Sequence, residues 1–399
     1  MTLRCFCKQT NLVYVFLFLF LFFSVYILKQ TLAFSHLTYE LNLLLAIIAP
    51  LSVITNILAY PFIYKVNHVN KNILYLLVSV IAFVLLFHSY SEGIMIVFKF
   101  CYMTNIMLLL LSTERNKIFI FISDVMVVNT LVIILLSELG LVDSYASENI
   151  NWVKSYGGFI NPNIPVYYLF SSLTMYFIFH SVKRYYLLMS ISFLLKVVFH
   201  VYARTFLYAS YFLTILFLLK NVKLSIWMQK KFIYLFVFIS IFITITLLCL
   251  PIYMPEPIYC KEAFTYYYPN LIYINDILSD RFFFLYKGLL GFGETLSGLT
   301  FVKFDSLHYE LMTTYGPLMW FMCIKGICQN WSEITKRTFV GNLLQLVIVI
   351  TIVGLFDGVI NKISPLSMVI FSLIIIDYKT IKNISGNEFS APVFLAKLT

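Results

Sequence analysis

Charge is what this sequence lacks most. Only 12% of its 399 residues are Asp, Glu, Lys or Arg, about half the share of an ordinary soluble chain. Glycine and proline are also sparse, at 14 and 11 residues, which excludes collagen-like and low-complexity readings. Seven cysteines are present without metal or disulfide spacing. Cys5 and Cys7 form a Cys-x-Cys, and Cys101, Cys249 and Cys323 sit in or beside apolar runs, so no zinc motif can be assembled from them. What fills the chain instead is apolar: 61% of residues by type and 18% aromatic, with a mean hydropathy of +0.91. These values exclude an ordinary soluble enzyme and a disordered chain, and they imply a polytopic membrane protein. The net charge of +10 would suggest nucleic acid in a soluble protein. In a membrane protein it reflects basic cytoplasmic loops, so no nucleic-acid partner is expected.

A membrane-crossing helix needs roughly 20 apolar residues. The sequence predicts an all-α protein with about twelve such spans, at 11–32, 40–64, 72–90, 94–113, 118–138, 163–181, 187–201, 205–220, 232–251, 307–325, 339–356 and 365–376. The first follows a short basic stretch (Arg4, Lys8) without a small-residue cleavage site, and so reads as an anchor, not a removed signal peptide. With the N-terminus inside, 18 of the 28 Lys and Arg fall in cytoplasmic segments, 8 outside, and Lys99 and Lys196 within spans. The acids run the other way: 13 of 18 lie outside, 4 inside, and Asp124 is in a span. Both biases place both termini in the cytoplasm. The chain then reads as one integral membrane domain over 1–399, with external loops 139–162 and 252–306 and a cytoplasmic tail 377–399.

Charges at or within a bilayer are costly and usually have a task. Arg204, in Tyr202-Ala203-Arg204-Thr205, falls at the outer end of the seventh span, and Arg281, in Leu278-Ser279-Asp280-Arg281, in the large loop. A guanidinium keeps its proton and binds phosphate oxygens with two parallel hydrogen bonds. Two on one membrane face suit a pyrophosphate; each alone is equally accounted for by interfacial snorkelling, or by an ion pair with Asp280. Lys99 and Asp124 suit mutual neutralisation between helices.

The large loop continues through Gly288-Leu289-Leu290-Gly291-Phe292-Gly293, which follows no strand and reads as a tight turn near the membrane surface. Asp305, Ser306 and His308 then fall at the outer start of the tenth span. Asp305 is an N-cap candidate there. The spacing of three also puts Asp305 and His308 on nearly one helix face, where carboxylate and imidazole suit a base and its orienter. The smaller loop ends in Gly157-Gly158-Phe159-Ile160-Asn161-Pro162-Asn163, a strong turn signal that reads as closure onto the sixth span. Tyr266, Tyr267 and Tyr268 suit either sugar stacking or loop packing.

Four elements thus occur in order. Gly158-Phe159-x-Asn161-Pro162-Asn163 opens a span, and Ala203-Arg204-Thr205 follows a hairpin later. Asn275-x-x-Leu278-Ser279-Asp280-Arg281 precedes the Gly-rich turn, and Asp305-Ser306 precedes Tyr315-Gly316. This order resembles the O-antigen (oligosaccharide repeat-unit) polymerases of the Wzy type, over roughly 155–320 and the span count. The chain departs from the family pattern where Ala203 stands for the usual Ser, Asp280 for Gly and Ser306 for Asn. The related O-antigen ligases carry a His-Asn pair where this chain has Asp305-Ser306, which favours polymerase.

The resemblance implies a GT-C-like membrane architecture in the bacterial inner membrane and glycosyl transfer between undecaprenyl-pyrophosphate-linked oligosaccharides on its periplasmic face. The pyrophosphate clamp would be Arg204 and Arg281. Asp305 would be the base, with His308 and Glu310 as alternates, supported by Asn161, Asn163, Asp280, Gly291, Gly293, Tyr315 and Gly316. No cofactor or metal is implied, and the external loops hold no Asp-x-Asp pair of Mg²⁺-binding type. Partners would be the lipid-linked oligosaccharides, membrane lipid, a chain-length regulator and a flippase. The alternatives are an O-antigen ligase and a non-enzymatic repeat-unit flippase or transporter. A flippase needs a central aqueous path and no arginine-bearing external loop, and a proton-coupled transporter needs several in-span acids.

Overall fold

A computed structural model describes residues 3–37, 39–45, 47–48, 51, 115–149, 152–179 and 181–219, with Lys231, Tyr266, Pro269 and Leu346. Apart from those single positions, the runs at 72–90, 94–113, 232–251, 307–325, 339–356 and 365–376, the loop 252–306 and the tail 377–399 lie outside the described residues, as does most of 40–64.

Five helices and one hairpin carry the named architecture: α1 (Leu3–Leu28), α2 (Arg115–Glu138), strands β1 (Ala146–Asn149) and β2 (Trp152–Ser155), α3 (Asn163–Ile178), α4 (Val182–Val198) and α5 (Arg204–Leu219). Residues 39–45, 47–48 and 51 are also helical. Among the described residues, α2 is the helix long and apolar enough to cross a membrane, and α1 contains a shorter apolar stretch, Leu12–Leu28.

The centre is α3. Nearly every side chain from Ile164 to Ile178 is buried, including Tyr167, Tyr168 and Phe177. Such burial requires neighbours on all sides, and α1, α2, α4 and α5 supply them. Pro165 is tolerated because it lies in the first turn, where its missing N–H has no intrahelical partner. Small polar residues let α2 approach: Ser172 Oγ donates to the Ser123 carbonyl at 3.2 Å, and Thr174 Oγ1 satisfies itself on the Ser171 carbonyl at 2.6 Å. These residue types permit close helix contact inside an apolar bundle.

Pairings fix direction. Phe16 meets Phe121 at 4.8 Å and Asn129 Nδ2 donates to Ser24 Oγ at 2.9 Å, so α1 and α2 run parallel. Phe119 stacks on Phe179 while Ser123 meets Ser172, so α3 is antiparallel to both. The Tyr185 and Thr214 hydroxyls lie 2.8 Å apart across α4 and α5, and Tyr167 and Phe170 pack on Phe206 at 5.5 and 5.4 Å, so α5 is parallel to α3. The ends of α1, α2 and α4 and the starts of α3 and α5 therefore share one end of the bundle, the cap end.

Outward faces stay apolar. Val13, Leu17 and Phe20 on α1, Val128 and Leu135 on α2, and Leu187, Phe193 and Val197 on α4 are all exposed. On α1 they alternate with a buried stripe of Val15, Leu19, Phe22 and Tyr26, which makes the helix hydrophobic all round.

Within α2 the carboxylate of Asp124 accepts a hydrogen bond from the Tyr176 hydroxyl at 2.6 Å and one from Arg184 Nε at 3.1 Å. The partner is Arg184 because the turn between α3 and α4 is only a few residues long and brings the first turn of α4 beside α2; Lys99 lies outside the described residues. Arg184 is half-exposed and Asp124 about a third exposed, so the ion pair by itself contributes only about 0–1 kcal/mol. Asp124→Asn keeps a partner for Tyr176 and is expected to lower stability by less than about 1 kcal/mol. Asp124→Leu strands the half-buried hydroxyl and is expected to lower it by about 1–3 kcal/mol. Unfolding of the two variants in detergent checks the order.

Candidate functional site at the cap end

Helix α2 stops in a Schellman turn. Gly140 adopts φ +71°, Leu141 N–H donates to the Leu136 carbonyl at 2.9 Å and Gly140 N–H to that of Ser137 at 3.0 Å. The chain then forms the antiparallel hairpin β1–β2, with Ala146 opposite Ser155 and Asn149 opposite Trp152. The sequence reading treats 139–162 as an irregular loop; four-residue strands with no apolar alternation leave little for a periodicity to detect. Tertiary bonds stabilise the hairpin instead. Tyr156 N–H donates to the Tyr145 carbonyl at 2.8 Å and Ser155 N–H to that of His200 at 3.0 Å. His200, just beyond α4, has φ +54°, a conformation that ends the helix and is more accessible to His than to most side chains.

The segment Tyr156 to Ile160 is pinned from two sides. Leu32 N–H donates to the Gly158 carbonyl at 2.9 Å and Ile160 N–H to that of Gln30 at 3.0 Å, flanking an antiparallel bridge between Thr31 and Phe159. Phe159 is fully buried. Gly157 and Gly158 have φ +56° and +80° and press on the bundle. A Cβ on Gly157 would lie 3.1 Å from Ile134 and 3.3 Å from Val201; one on Gly158 would lie 3.1 Å from Ile133 and 3.2 Å from Ser137 and Val142.

This places two of the expected site residues by their local roles. Asn161 Oδ1 accepts the Asn163 N–H at 2.8 Å, closing an Asx turn that starts α3. Asn163 Oδ1 accepts from Lys154 Nζ on β2. Arg204 is the first residue of α5, two residues before Phe206, which packs on α3. Asn161, Asn163 and Arg204 thus occupy the cap end together. Arg281, Asp280, Gly291, Gly293, Asp305, His308, Glu310, Tyr315 and Gly316 lie outside the described residues. Among the described residues, no group of three or more His, Cys, Asp or Glu is placed to hold a metal ion.

Between α3, α4 and α5 lies a cavity of about 340 Å³, lined among others by Leu169, Phe170, Leu195, Tyr202, Phe206 and Ser210. Its lining brackets Arg204 in the chain, with Tyr202 before and Phe206 after. The walls are mainly apolar, with the hydroxyl groups of serines and tyrosines set among them. Such a cavity accepts a hydrocarbon chain more readily than a polar solute.

Two features here escape the sequence reading. The cavity does, because it is formed by three helices whose relative placement no local pattern encodes. The position of Lys154 does too, although one signal was present: it is the sole Lys or Arg in 139–162. Comparison with protein-family models, curated proteins and solved structures finds no match for this chain.

Proposed function

We propose that this chain is a multi-pass inner-membrane glycosyltransferase of the O-antigen polymerase type, joining oligosaccharide repeat units carried on undecaprenyl pyrophosphate at the periplasmic face. One observation carries the reading furthest: an apolar cavity of about 340 Å³ whose lining brackets Arg204, at the end of the bundle where Asn161 and Asn163 also lie. A guanidinium beside a hydrocarbon-accepting cavity suits an amphiphile with an anionic head and an isoprenoid tail. The apolar outward faces of α1, α2 and α4 support placement in a bilayer, because exposed side chains of that kind are rare on soluble proteins in such number.

In the proposed reaction the acceptor sugar hydroxyl attacks the anomeric carbon of the growing chain. A new C–O bond forms, the C–O bond to the pyrophosphate breaks, and the carrier leaves as undecaprenyl pyrophosphate. The hydroxyl proton passes to a base, assigned to Asp305 with His308 and Glu310 as alternates. Negative charge grows on the leaving pyrophosphate, so fixed cations there lower the barrier most. Arg204 and Arg281 take that role. Asp280, Gly291, Gly293, Tyr315 and Gly316 would shape the surrounding loop, working with a flippase upstream and a chain-length regulator.

A gel ladder of surface polysaccharide from a strain lacking the gene tests this. The expected result is one repeat unit on the lipid core and no ladder. A bare core with long polymer on the carrier lipid would establish a ligase instead. A bare core with single units trapped inside would establish a flippase, and an unchanged ladder would remove the protein from the pathway.

A further inference from the structure

We infer that Lys154 is a third cationic group of the pyrophosphate site, holding the donor substrate beside Arg204; this rests on the glycosyltransferase reading above. Three contacts bring β2 to the start of α5. Ser155, the next residue, donates its N–H to the His200 carbonyl at 3.0 Å, four residues ahead of Arg204. Gly157 sits against Val201, so close that an added Cβ would lie 3.3 Å from its side chain. Lys154 Nζ itself donates to Asn163 Oδ1 at the first turn of α3, and α3 packs on α5 through Tyr167, Phe170 and Phe206. The ammonium is therefore fixed at the junction of β2, α3 and α5, not left to swing on a long stem.

Its setting makes the charge effective. Lys154 is half-buried, so salt screens it less than a surface lysine. It is the only Lys or Arg in the segment 139–162, which otherwise contributes two acids, Asp143 and Glu148. A sugar pyrophosphate diester carries one negative charge on each phosphate, and a compact ammonium complements the planar fork of an arginine by acting as a point charge. Asn163 holds that charge in place, which gives the asparagine a positioning role.

The test uses the full-length protein in proteoliposomes, with lipid-linked repeat units isolated from the deletion strain as substrate. Lys154→Gln keeps a hydrogen-bond donor for Asn163 and removes only the charge. It is expected to raise the half-saturating substrate concentration about tenfold while changing the maximal rate less than about twofold, with Lys154→Arg close to the original protein. Unchanged half-saturation in Lys154→Gln, with Arg204→Ala inactive, overturns this inference and leaves the glycosyltransferase reading standing. Equal loss of folded protein in both lysine variants overturns it as well, since it would make the residue a strut. Full activity of Arg204→Ala overturns both readings together.

Discussion

Arg281→Ala and Arg204→Ala each abolish the long-chain polysaccharide ladder while the variant protein still reaches the membrane. The loss is expected to be large because neither arginine stabilises the ground state alone. Glycosyl transfer away from a carrier lipid concentrates charge on the departing pyrophosphate, and a preorganised donor aimed at that charge is worth about 100- to 1000-fold in rate. Arginine also presents two parallel N–H groups to phosphate oxygens, so Arg→Lys at either position is expected to recover part of the activity and not all of it. Arg204 begins α5 beside the apolar cavity, so its removal is also expected to weaken retention of the carrier. The measurement is the ladder together with protein quantified in isolated membranes. Chain lengths matching the original strain in both variants would overturn the assignment.

Gly158→Ala is the most destabilising single-methyl change expected among the described glycines. Its backbone sits at φ +80°, where a Cβ costs about 1–2 kcal/mol in strain. That Cβ would also press on Ile133, Ser137 and Val142 at 3.1–3.2 Å, and forced overpacking costs about 1–3 kcal/mol more. Lower unfolded-state entropy returns about 0.4–1 kcal/mol, leaving a net loss of about 3 kcal/mol. Gly140→Ala is the internal control. It has nearly the same backbone at φ +71° but nothing within 4 Å of the added methyl, so only the strain of about 1–2 kcal/mol should remain. Reversible unfolding in mixed micelles measures both. If the two variants unfold alike, the cap does not press on α2 as described. A cap loosened at Gly158 also releases Leu32 and Ile160 from their bonds, and with them the seat of Lys154.

Much of the helical layout is legible from apolar runs alone. Runs at 118–138, 163–181 and 205–220 are helical over Arg115–Glu138, Asn163–Ile178 and Arg204–Leu219, because helix hydrogen bonds are local and apolar side chains need no partner chosen in advance. The run at 187–201 is instead a helix over Val182–Val198. Lys183 and Arg184 are good helix formers despite their charge, and His200 at positive φ ends the helix before the apolar run does. The turn signal at Gly157-Gly158 likewise has its physical source in the two positive φ values. By contrast, the partner of Asp124 is not legible. Lys99 is an equally sensible counter-charge on sequence grounds, and only the short turn at 179–181 brings Arg184 to the carboxylate.

The sequence by itself determined composition, the apolar segments that become helices and the glycines and Asn-Pro that turn the chain, since each depends on a residue and its near neighbours. Tertiary structure alone decided the β1–β2 hairpin, the cavity beside Arg204 and the junction that holds Lys154 against Asn163. Those depend on segments from 30 to 206 meeting at one end of the bundle, and contacts between residues far apart in the chain leave no periodic trace in any one of them.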